Sequence, residues 1–338
     1  MNVEDAATVR TLLSKPQKIV IVPHKNPDGD AIGASLGLQL FLKTMGLDAQ
    51  VIAPNDYPKF LKWMPGSQEV INFERQQHTA EKLILGAGLL FTLDFNDLSR
   101  AGSMHDILLR TEADFIMIDH HQQPDDYALV TYSDVTMSST CEMVYNFIAG
   151  LDGTDDITAD IATCLYTGIM TDTGSFKYPS TTSETHRTVA DLIDKGAQNM
   201  TIHQQVYDTN RPSRLHLLGS ALGNLVILED YHTAYTWLTQ AELNKFAYSK
   251  GDTEGFVNYG LTLDGINFAV IFIENEEEGI IKISFRSVGT FSVNEFARTH
   301  FSGGGHTNAA GGRSTESMER TIANFESLLS GYKNELDY

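Results

Sequence analysis

Cysteine and cationic side chains are scarce in this 338-residue chain, which has two cysteines and 24 Lys and Arg residues against 44 Asp and Glu. Because Cys141 and Cys164 form neither a CxxC motif nor a disulfide framework, we expect buried, reduced thiols of a cytoplasmic protein. The net charge of −20 argues against the basic surface with which proteins bind long duplex nucleic acid. An anionic substrate is therefore expected to be small.

The sequence also lacks a long hydrophobic run. The longest nearly apolar stretch, residues 83–93, is too short to span a bilayer, and residues 1–17 contain no apolar segment of the signal-peptide kind. We therefore expect no membrane association and a cytoplasmic location. At about 150 residues per domain, the length predicts two domains.

Apolar runs alternate with helically spaced segments over residues 1–200. The runs predict strands at 18–23, 49–54, 88–95 and 113–121, and the spacing predicts helices at 31–46, 73–86, 138–150, 157–170 and 183–196. This alternation is typical of a doubly wound parallel sheet. A connector is predicted at 201–225, followed by a second α/β domain at 226–338. Its predicted strands lie at 231–238, 266–275 and 279–287, and its predicted helices at 292–301 and 318–332.

Acidic and imidazole side chains occur where the apolar elements of the first domain end. They are His24, Asp28, Asp30, Asp94, Asp119, His120, His121 and Asp172. In open α/β sheets, binding sites form at the carboxyl ends of the strands, so we expect these residues to converge. Taken singly, each has an ordinary alternative explanation as a turn former, a helix cap or an exposed histidine.

A crevice holding so many carboxylates and imidazoles needs cations to offset their mutual repulsion. Histidine and aspartate ligands suit Mn²⁺, Mg²⁺, Zn²⁺ or Fe²⁺, and the imidazoles favour Mn²⁺ over Mg²⁺. The set exceeds what one ion needs. It therefore predicts two divalent ions about 3.5–4 Å apart that share a carboxylate and activate a hydroxide, an arrangement that cleaves phosphate esters.

The second domain contains the glycine-rich stretch SGGGHTNAAGG, residues 302–312. Its backbone N–H groups can approach an anion closely, and His306 and Asn308 add side-chain donors. Arg286 ends an apolar strand, and its guanidinium suits phosphate. The alternatives are a flexible surface loop and a solvated strand-end charge.

These segments resemble a known family. HKNPDGDAIGAS, LDF, IDHH and TDTGSF, in that order, resemble the successive motifs of the DHH phosphoesterases, and KISFRS with SGGGHTNAAGG resembles the DHHA1 domain. The resemblance covers nearly the whole chain. It is strongest to the oligoribonucleases (nanoRNases) that also remove the 3′-phosphate of pAp, adenosine 3′,5′-bisphosphate. It implies a doubly wound parallel-sheet DHH domain, a smaller mixed-sheet DHHA1 domain and an active site in the cleft between them. It leaves the oligomeric state open, with a homodimer as one option.

The resemblance also implies residue roles. One ion would be held by His24, Asp28 and Asp94, and the other by Asp30, Asp94, His120 and Asp172. His121 would face the scissile phosphate, Asp119 would orient its neighbours, and Asn26 would support the first loop or the phosphate. The substrate's terminal phosphate or base would be bound by Arg286, Gly303, Gly304, Gly305, His306 and Asn308.

The expected activity is hydrolysis of short RNA, about two to five nucleotides that fit a closing cleft, to mononucleotides, together with conversion of pAp to AMP. One alternative is a phosphodiesterase for linear or cyclic dinucleotides such as pApA or cyclic di-AMP. Another is a nucleotide sensor without turnover. The residues leave the first two readings open, and the complete ligand set argues against the third.

Overall fold

The computed structural model describes residues 2–337 and consists of two compact units, of which one ends at Thr209 and the other begins at Asn210. Each unit is built around its own six-stranded sheet. Among the described residues, no helix is long and apolar enough to cross a membrane.

The first unit has a sheet of parallel strands flanked by helices. Its strands are β1 (Lys18–Pro23), β2 (Asp48–Ala53), β3 (Ile71–Asn72), β4 (Leu89–Leu93), β5 (Asp114–Asp119) and β6 (Val130–Ser133). Its helices are α1 (Val3–Leu13), α2 (Gly29–Thr44), α3 (Gln77–Leu85), α4 (His105–Leu108), α5 (Thr140–Gly150), α6 (Ala159–Asp172), α7 (Ser183–Asp194) and α8 (Asn199–Tyr207). The predicted doubly wound parallel sheet is confirmed.

The strand order is β3-β2-β1-β4-β5-β6, and every neighbouring pair is parallel. The first three strands therefore extend the sheet from β1 to the edge strand β3. The next three extend it from β4 to the opposite edge strand, β6. The carboxyl ends of β1 and β4 lie side by side, with Pro23 paired to Leu93. In α/β sheets, ligand-binding crevices form at the strand ends where the strand order reverses in this way.

Several short elements of the first unit differ from the sequence-based expectation. The strands β3 and β6 and the helix α1 were not predicted. The helix expected at 73–86 begins only at Gln77. With two and four residues, β3 and β6 are too short to show a period, and α1 buries only Val9, Leu12 and Leu13. Such segments carry little hydrophobic signal, because their structure depends on the neighbours against which they pack.

Helices α2 and α6 pack unusually closely. A Cβ atom on Gly33 of α2 would lie 2.6 Å from the carbonyl oxygen of Cys164, and one on Gly168 of α6 would lie 2.9 Å from a carboxylate oxygen of Asp30. Only glycine permits this approach without displacing backbone or buried side chains. The contact places Asp30, in the first turn of α2, next to the end of α6.

The second unit is a mixed α/β structure. Its strands are β7 (Val226–Leu228), β8 (Thr233–Leu238), β9 (Phe268–Asn275), β10 (Ile280–Ser287), β11 (Gly304–His306) and β12 (Ala309–Ser314). Its helices are α9 (Pro212–Gly223), α10 (Gln240–Lys245), α11 (Val293–His300), α12 (Met318–Leu329) and α13 (Lys333–Leu336). The β8–β9 pair is parallel and the others are antiparallel, so the expected mixed sheet is confirmed.

The glycine-rich stretch is not a flexible loop. It forms the hairpin of β11 and β12 at one edge of the second sheet, in the order β11-β12-β10-β9-β8-β7. Arg286 pairs with Ala309 across β10 and β12, so the hairpin and the strand-end arginine belong to one piece of sheet. A core of packed phenylalanines supports it, including Phe268, Phe285 and Phe296.

Candidate functional site

Strand ends and helix ends bring the predicted acidic and imidazole residues of the first unit together. His24 follows β1, Asp94 follows β4 and His120 follows β5 directly. Asp28 is the N-cap of α2, where its carboxylate accepts hydrogen bonds from the backbone of Asp30 and of Ala31. Asp172 is the last residue of α6. Three of the four stretches meet because parallel strands end at the same edge of the sheet. The fourth, which carries Asp172, joins them because α6 packs against α2.

One group of potential metal ligands consists of His24, Asp28 and Asp94. The Nε2 atom of His24 lies 3.4 Å from Oδ2 of Asp94 and 3.9 Å from Oδ2 of Asp28. The other ring nitrogen, Nδ1, is 2.8 Å from the carbonyl oxygen of Lys25, which fixes the ring orientation and directs Nε2 into the group. The three potential donor atoms lie within 4.8 Å of one another.

A second group consists of Asp30, His120 and Asp172, whose potential donor atoms also lie within 4.8 Å of one another. The Nε2 atom of His120 is 3.5 Å from Asp172 and 3.9 Å from Asp30. Its Nδ1 atom is 3.2 Å from the carbonyl oxygen of Met137. Both histidines therefore turn Nε2 towards carboxylates and Nδ1 towards a backbone carbonyl.

Asp94 connects the two groups. Its Oδ2 atom faces His24, while its Oδ1 atom lies 3.5 Å from Nε2 of His120. The residue is 2% exposed, and its φ of 66° lies in the left-handed region that non-glycine residues rarely adopt. Strained backbone of this kind persists where the surrounding structure requires it. Here it turns the chain sharply after β4 and directs the carboxylate between two imidazoles.

Asp119 and His121 form a separate pair beside Asp94. Nδ1 of His121 lies 2.7 Å from Oδ1 of Asp119, and the backbone N–H of His121 donates to Oδ2 at 3.0 Å. Asp119 is fully buried, and both of its carboxylate oxygens contact His121. The rings of His120 and His121 meet edge to face with centroids 5.1 Å apart. Because β5 ends at Asp119, strict strand alternation does not apply to them.

Charge distribution in this cluster favours positive charge at the imidazoles. Burial lowers the pKa of His24, but hydrogen bonding to Asp94 and the charge of Asp28 outweigh it and raise the pKa to about 9. The pKa of His120 is likewise raised despite burial, by Asp94 and Asp172. Burial and the neighbouring carboxylates Asp94 and Asp172 raise the pKa of Asp30.

The carboxylate at the centre behaves in the opposite way. Burial raises the pKa of Asp94, but hydrogen bonding to His120 and His24 dominates and holds the pKa well below its usual range. Imidazolium protons thus balance the carboxylates in this arrangement. Divalent cations bound by deprotonated imidazoles would supply that charge instead, and the nitrogen and oxygen donors suit Mn²⁺, Mg²⁺, Zn²⁺ or Fe²⁺. The residues therefore fit a metal centre.

Two polar contacts near the site were not anticipated from the sequence. Asn26, with a φ of 58°, exchanges two hydrogen bonds with Asn55, which follows β2. Thr140, at the start of α5, donates to Asp30 through its backbone and to Asp94 through its hydroxyl. The sequence predicts the helix at 138–150, but what the Thr140 side chain touches depends on the fold.

The predicted substrate-binding residues of the second unit lie on the β10 strand and the β11–β12 hairpin. Nη1 of Arg286 donates to the carbonyl of Phe285 at 3.0 Å. The Asn308 amide donates to Oγ of Ser287 and to the carbonyl of Gly289, so it ties the hairpin turn to the end of β10. Gly303 precedes β11, which contains Gly304, Gly305 and His306. Their role in substrate binding remains a prediction.

Comparison with known proteins gives two family matches. The model of the DHH family N-terminal domain matches residues 18–169, and that of the DHHA1 domain matches residues 232–331. The chain is 33% identical to the bifunctional oligoribonuclease and PAP phosphatase NrnA of Thermus thermophilus over 318 residues, covering 94% of this chain and 90% of the relative. It is 25% identical to the cyclic-di-AMP phosphodiesterase PdeA of Listeria monocytogenes, covering 95% of this chain and 48% of the relative.

Among solved structures, an exopolyphosphatase-related protein of Bacteroides fragilis superposes with a TM-score of 0.95 at 43% identity. The match covers 99% of this chain and 98% of the other. The predicted motifs and the two sheets follow one another along the chain in the same order as the two matched domains. The chain therefore belongs to the DHH/DHHA1 family of phosphoesterases and is a hydrolase of phosphoester bonds.

Proposed function

We propose that this phosphoesterase hydrolyses short RNA oligonucleotides to mononucleotides and pAp to AMP, with two divalent ions, preferably Mn²⁺. The observation that carries the proposal is the position of Asp94, whose two oxygens face different groups of potential ligands. Oδ2 lies 3.4 Å from His24, and Oδ1 lies 3.5 Å from His120. A shared carboxylate between two nitrogen-and-oxygen donor sets is the arrangement of two-metal phosphoesterases.

The proposed ligands are His24, Asp28 and Asp94 for one ion and Asp30, Asp94, His120 and Asp172 for the other. When bound, the ions would lower the pKa of a water nucleophile and neutralise charge on the phosphoryl oxygens. The surrounding residues of the chain would hold the donor atoms of these ligands in position. The backbone carbonyls next to Nδ1 of both histidines fix the ring orientation, which second-shell contacts do in metal sites generally.

His121 is the proposed general acid. With Nδ1 2.7 Å from Oδ1 of Asp119, the ring is held in one orientation, and its other nitrogen would face the substrate. Nε2–H would then pass its proton to the leaving oxygen as the phosphorus–oxygen bond breaks, so that a neutral hydroxyl departs. Asp119 acts by orienting the imidazole through its two contacts with His121.

Two observations support a short nucleotide substrate. The T. thermophilus relative, named for oligoribonuclease and PAP phosphatase activities, matches over 94% of this chain. The net charge of −20 disfavours an extended polyanion, because the repulsion between protein and substrate grows with the number of phosphates bound. Both observations point to a substrate of a few phosphates.

A second candidate is hydrolysis of cyclic or linear dinucleotides such as cyclic di-AMP or pApA. The match to the Listeria phosphodiesterase favours it, because that relative aligns with 95% of this chain. The chain spans about half of that relative's length, with 48% covered.

A side-by-side rate measurement tests the proposal and ranks the substrates. The purified protein is given Mn²⁺ and, separately, a dinucleotide of RNA, pAp, pApA, cyclic di-AMP, a long single-stranded RNA and inorganic polyphosphate. We expect the highest kcat/KM for the RNA dinucleotide and pAp. No release of mononucleotide or AMP from either with Mn²⁺ present would refute the proposal. Faster turnover of cyclic di-AMP or pApA would favour the second candidate.

A further inference from the structure

The start of α5 is hydrogen-bonded to two carboxylates of the site. The backbone N–H of Thr140 donates to Oδ2 of Asp30 at 2.6 Å, and that of Cys141 donates to Oδ1 of the same carboxylate at 2.8 Å. The first N–H groups of a helix have no partner within the helix, and they carry partial positive charge. Asp30 occupies these donors with both oxygens, so its carboxylate plane is fixed.

The side chain of Thr140 reaches a second carboxylate. Its hydroxyl donates to Oδ1 of Asp94 at 3.0 Å, the oxygen that also faces His120. Thr140 and the Asp30 and Asp94 side chains are all at most 3% exposed, so water does not compete for these bonds. Thr140 therefore contacts the Asp94 carboxylate, which lies between the two groups, and the Asp30 carboxylate, which belongs to the second group.

This hydroxyl is not needed to begin the helix. Ser139 is the N-cap of α5, and its side chain accepts the backbone N–H of Glu142. Thr140 comes one residue later, where a hydroxyl is not required for capping. The Thr140 hydroxyl points instead to Asp94, and its loss would leave the cap intact.

The segment that carries Thr140 is itself firmly held. The buried carboxylate of Glu142 accepts hydrogen bonds from the hydroxyls of Ser138 and Thr185. The carbonyl of Met137 lies next to Nδ1 of His120. Residues 137–142 thus contact two carboxylates and one imidazole of the site from one short, anchored stretch.

We infer that Thr140 is a positioning residue that sets the orientation of the Asp94 and Asp30 carboxylates for metal binding. The inference rests on the proposed function to the extent that these carboxylates are proposed metal ligands. The hydroxyl bond prevents rotation of the Asp94 carboxylate, so that its two oxygens remain directed to different groups. Loss of a partner of this kind typically costs about 10–100-fold in metal affinity or activity.

The test compares Thr140→Val, which removes the hydroxyl at nearly constant volume, with Thr140→Ser, which retains it. Thr167→Val is the matched control, because Thr167 is also fully buried and its hydroxyl donates to a helix carbonyl, that of Thr163. Mn²⁺ affinity is measured by electron paramagnetic resonance of free Mn²⁺ in a titration. Thermal unfolding without metal is recorded for each protein, and kcat and KM for pAp are measured over a range of Mn²⁺ concentrations.

We expect Thr140→Val to bind at least one Mn²⁺ about 10–100-fold more weakly, with an unchanged KM for pAp at saturating Mn²⁺. Thr140→Ser should stay within a few-fold of the wild type, and Thr167→Val should bind Mn²⁺ normally even if its unfolding temperature falls. Wild-type Mn²⁺ affinity in Thr140→Val would overturn the inference.

The metal titration also separates this inference from the proposed function. A wild-type protein that binds Mn²⁺ but cleaves neither pAp nor the RNA dinucleotide would refute the proposed function. A weakened Thr140→Val would then still support the positioning role. An active wild type with an equally tight-binding Thr140→Val would leave the function standing and refute the positioning role.

Discussion

At the scale of single residues, the two adjacent histidines of the IDHH segment have different environments. His120 turns Nε2 towards three carboxylates, whereas His121 turns Nδ1 to Asp119 at 2.7 Å. Adjacent side chains on a strand point to opposite faces, yet both rings lie near Asp94 because the strand has ended. In keeping with these different environments, we propose that His120 binds metal and that His121 faces the substrate.

We predict that His120→Ala and His121→Ala have separable effects. His120→Ala should weaken Mn²⁺ binding by at least 10-fold, because it removes a proposed ligand nitrogen from the group around Asp30 and Asp172. His121→Ala should retain Mn²⁺ affinity and lower kcat about 10²–10⁴-fold, the usual contribution of general acid catalysis. A Mn²⁺ titration and steady-state kinetics on pAp measure both.

Equal loss of Mn²⁺ affinity in the two variants would contradict this division of roles. Exposed His78 on α3 provides a control substitution, since His78→Ala removes an imidazole away from the cluster. It should leave both metal affinity and turnover unchanged.

The residue types of the site could be predicted from the sequence, but its supporting contacts could not. Aspartate and histidine at strand ends are a visible pattern, and the structure brings those predicted residues of the first unit together. Thr140 and Asn55 carry no such signal. Their importance arises from proximity in space to Asp94 and Asn26, which is set by how α5 and β2 pack and not by local composition.

At the scale of secondary structure elements, the close packing of α2 and α6 positions the carboxylates of the second group. Asp30 lies in the first turn of α2 and Asp172 at the end of α6. The distance between these helices is set by glycines such as Gly33 and Gly168, whose missing side chains leave room for Cys141 and the opposing backbone. A larger residue would force the helices apart.

We predict that Gly168→Ala destabilises the protein by about 1–3 kcal/mol and also weakens Mn²⁺ binding. The added Cβ would lie 2.1 Å from Sγ of Cys141 and 2.9 Å from Oδ1 of Asp30, so one of these groups must move. Urea unfolding gives the stability change, and a Mn²⁺ titration gives the effect on the site.

Gly219→Ala is the matched control on α9. A Cβ there meets nothing within 4 Å, and the substitution replaces an exposed glycine inside a helix. It should stabilise the protein by about 0.4–1 kcal/mol and leave metal binding unchanged. If Gly168→Ala were as stable as the wild type, the helix contact would not be as tight as the structure indicates.

The long elements were predictable because their burial pattern is regular. The four central strands and the main helices of the first unit showed the expected apolar runs and helical spacing. The glycine-rich stretch, for which a flexible surface loop was the alternative explanation, forms the hairpin β11–β12. Glycine-rich composition alone does not distinguish a loop from an edge strand. The hairpin is held in place because β12 pairs with β10, and the local sequence does not reveal this pairing.

At the scale of the whole molecule, the DHH/DHHA1 family match, the acidic net charge and the cluster of histidines and aspartates are all compatible with a phosphoester hydrolase. Two matched domains span most of the chain, and the first contains a largely buried cluster of histidines and aspartates suited to divalent ions. The strongly acidic chain limits how much polyanion can bind without local cations. These features make the protein a phosphoester hydrolase. Our proposal adds short nucleotides as its substrates and an Asp94 carboxylate shared by two ions.

The most direct measurement of that claim is a crystal structure of the protein grown or soaked with Mn²⁺, with the metal positions taken from anomalous scattering. We expect two peaks about 3.5–4 Å apart, one next to His24 and the other next to His120, with the Asp94 carboxylate between them. A single peak, or two peaks that do not share Asp94, would contradict it.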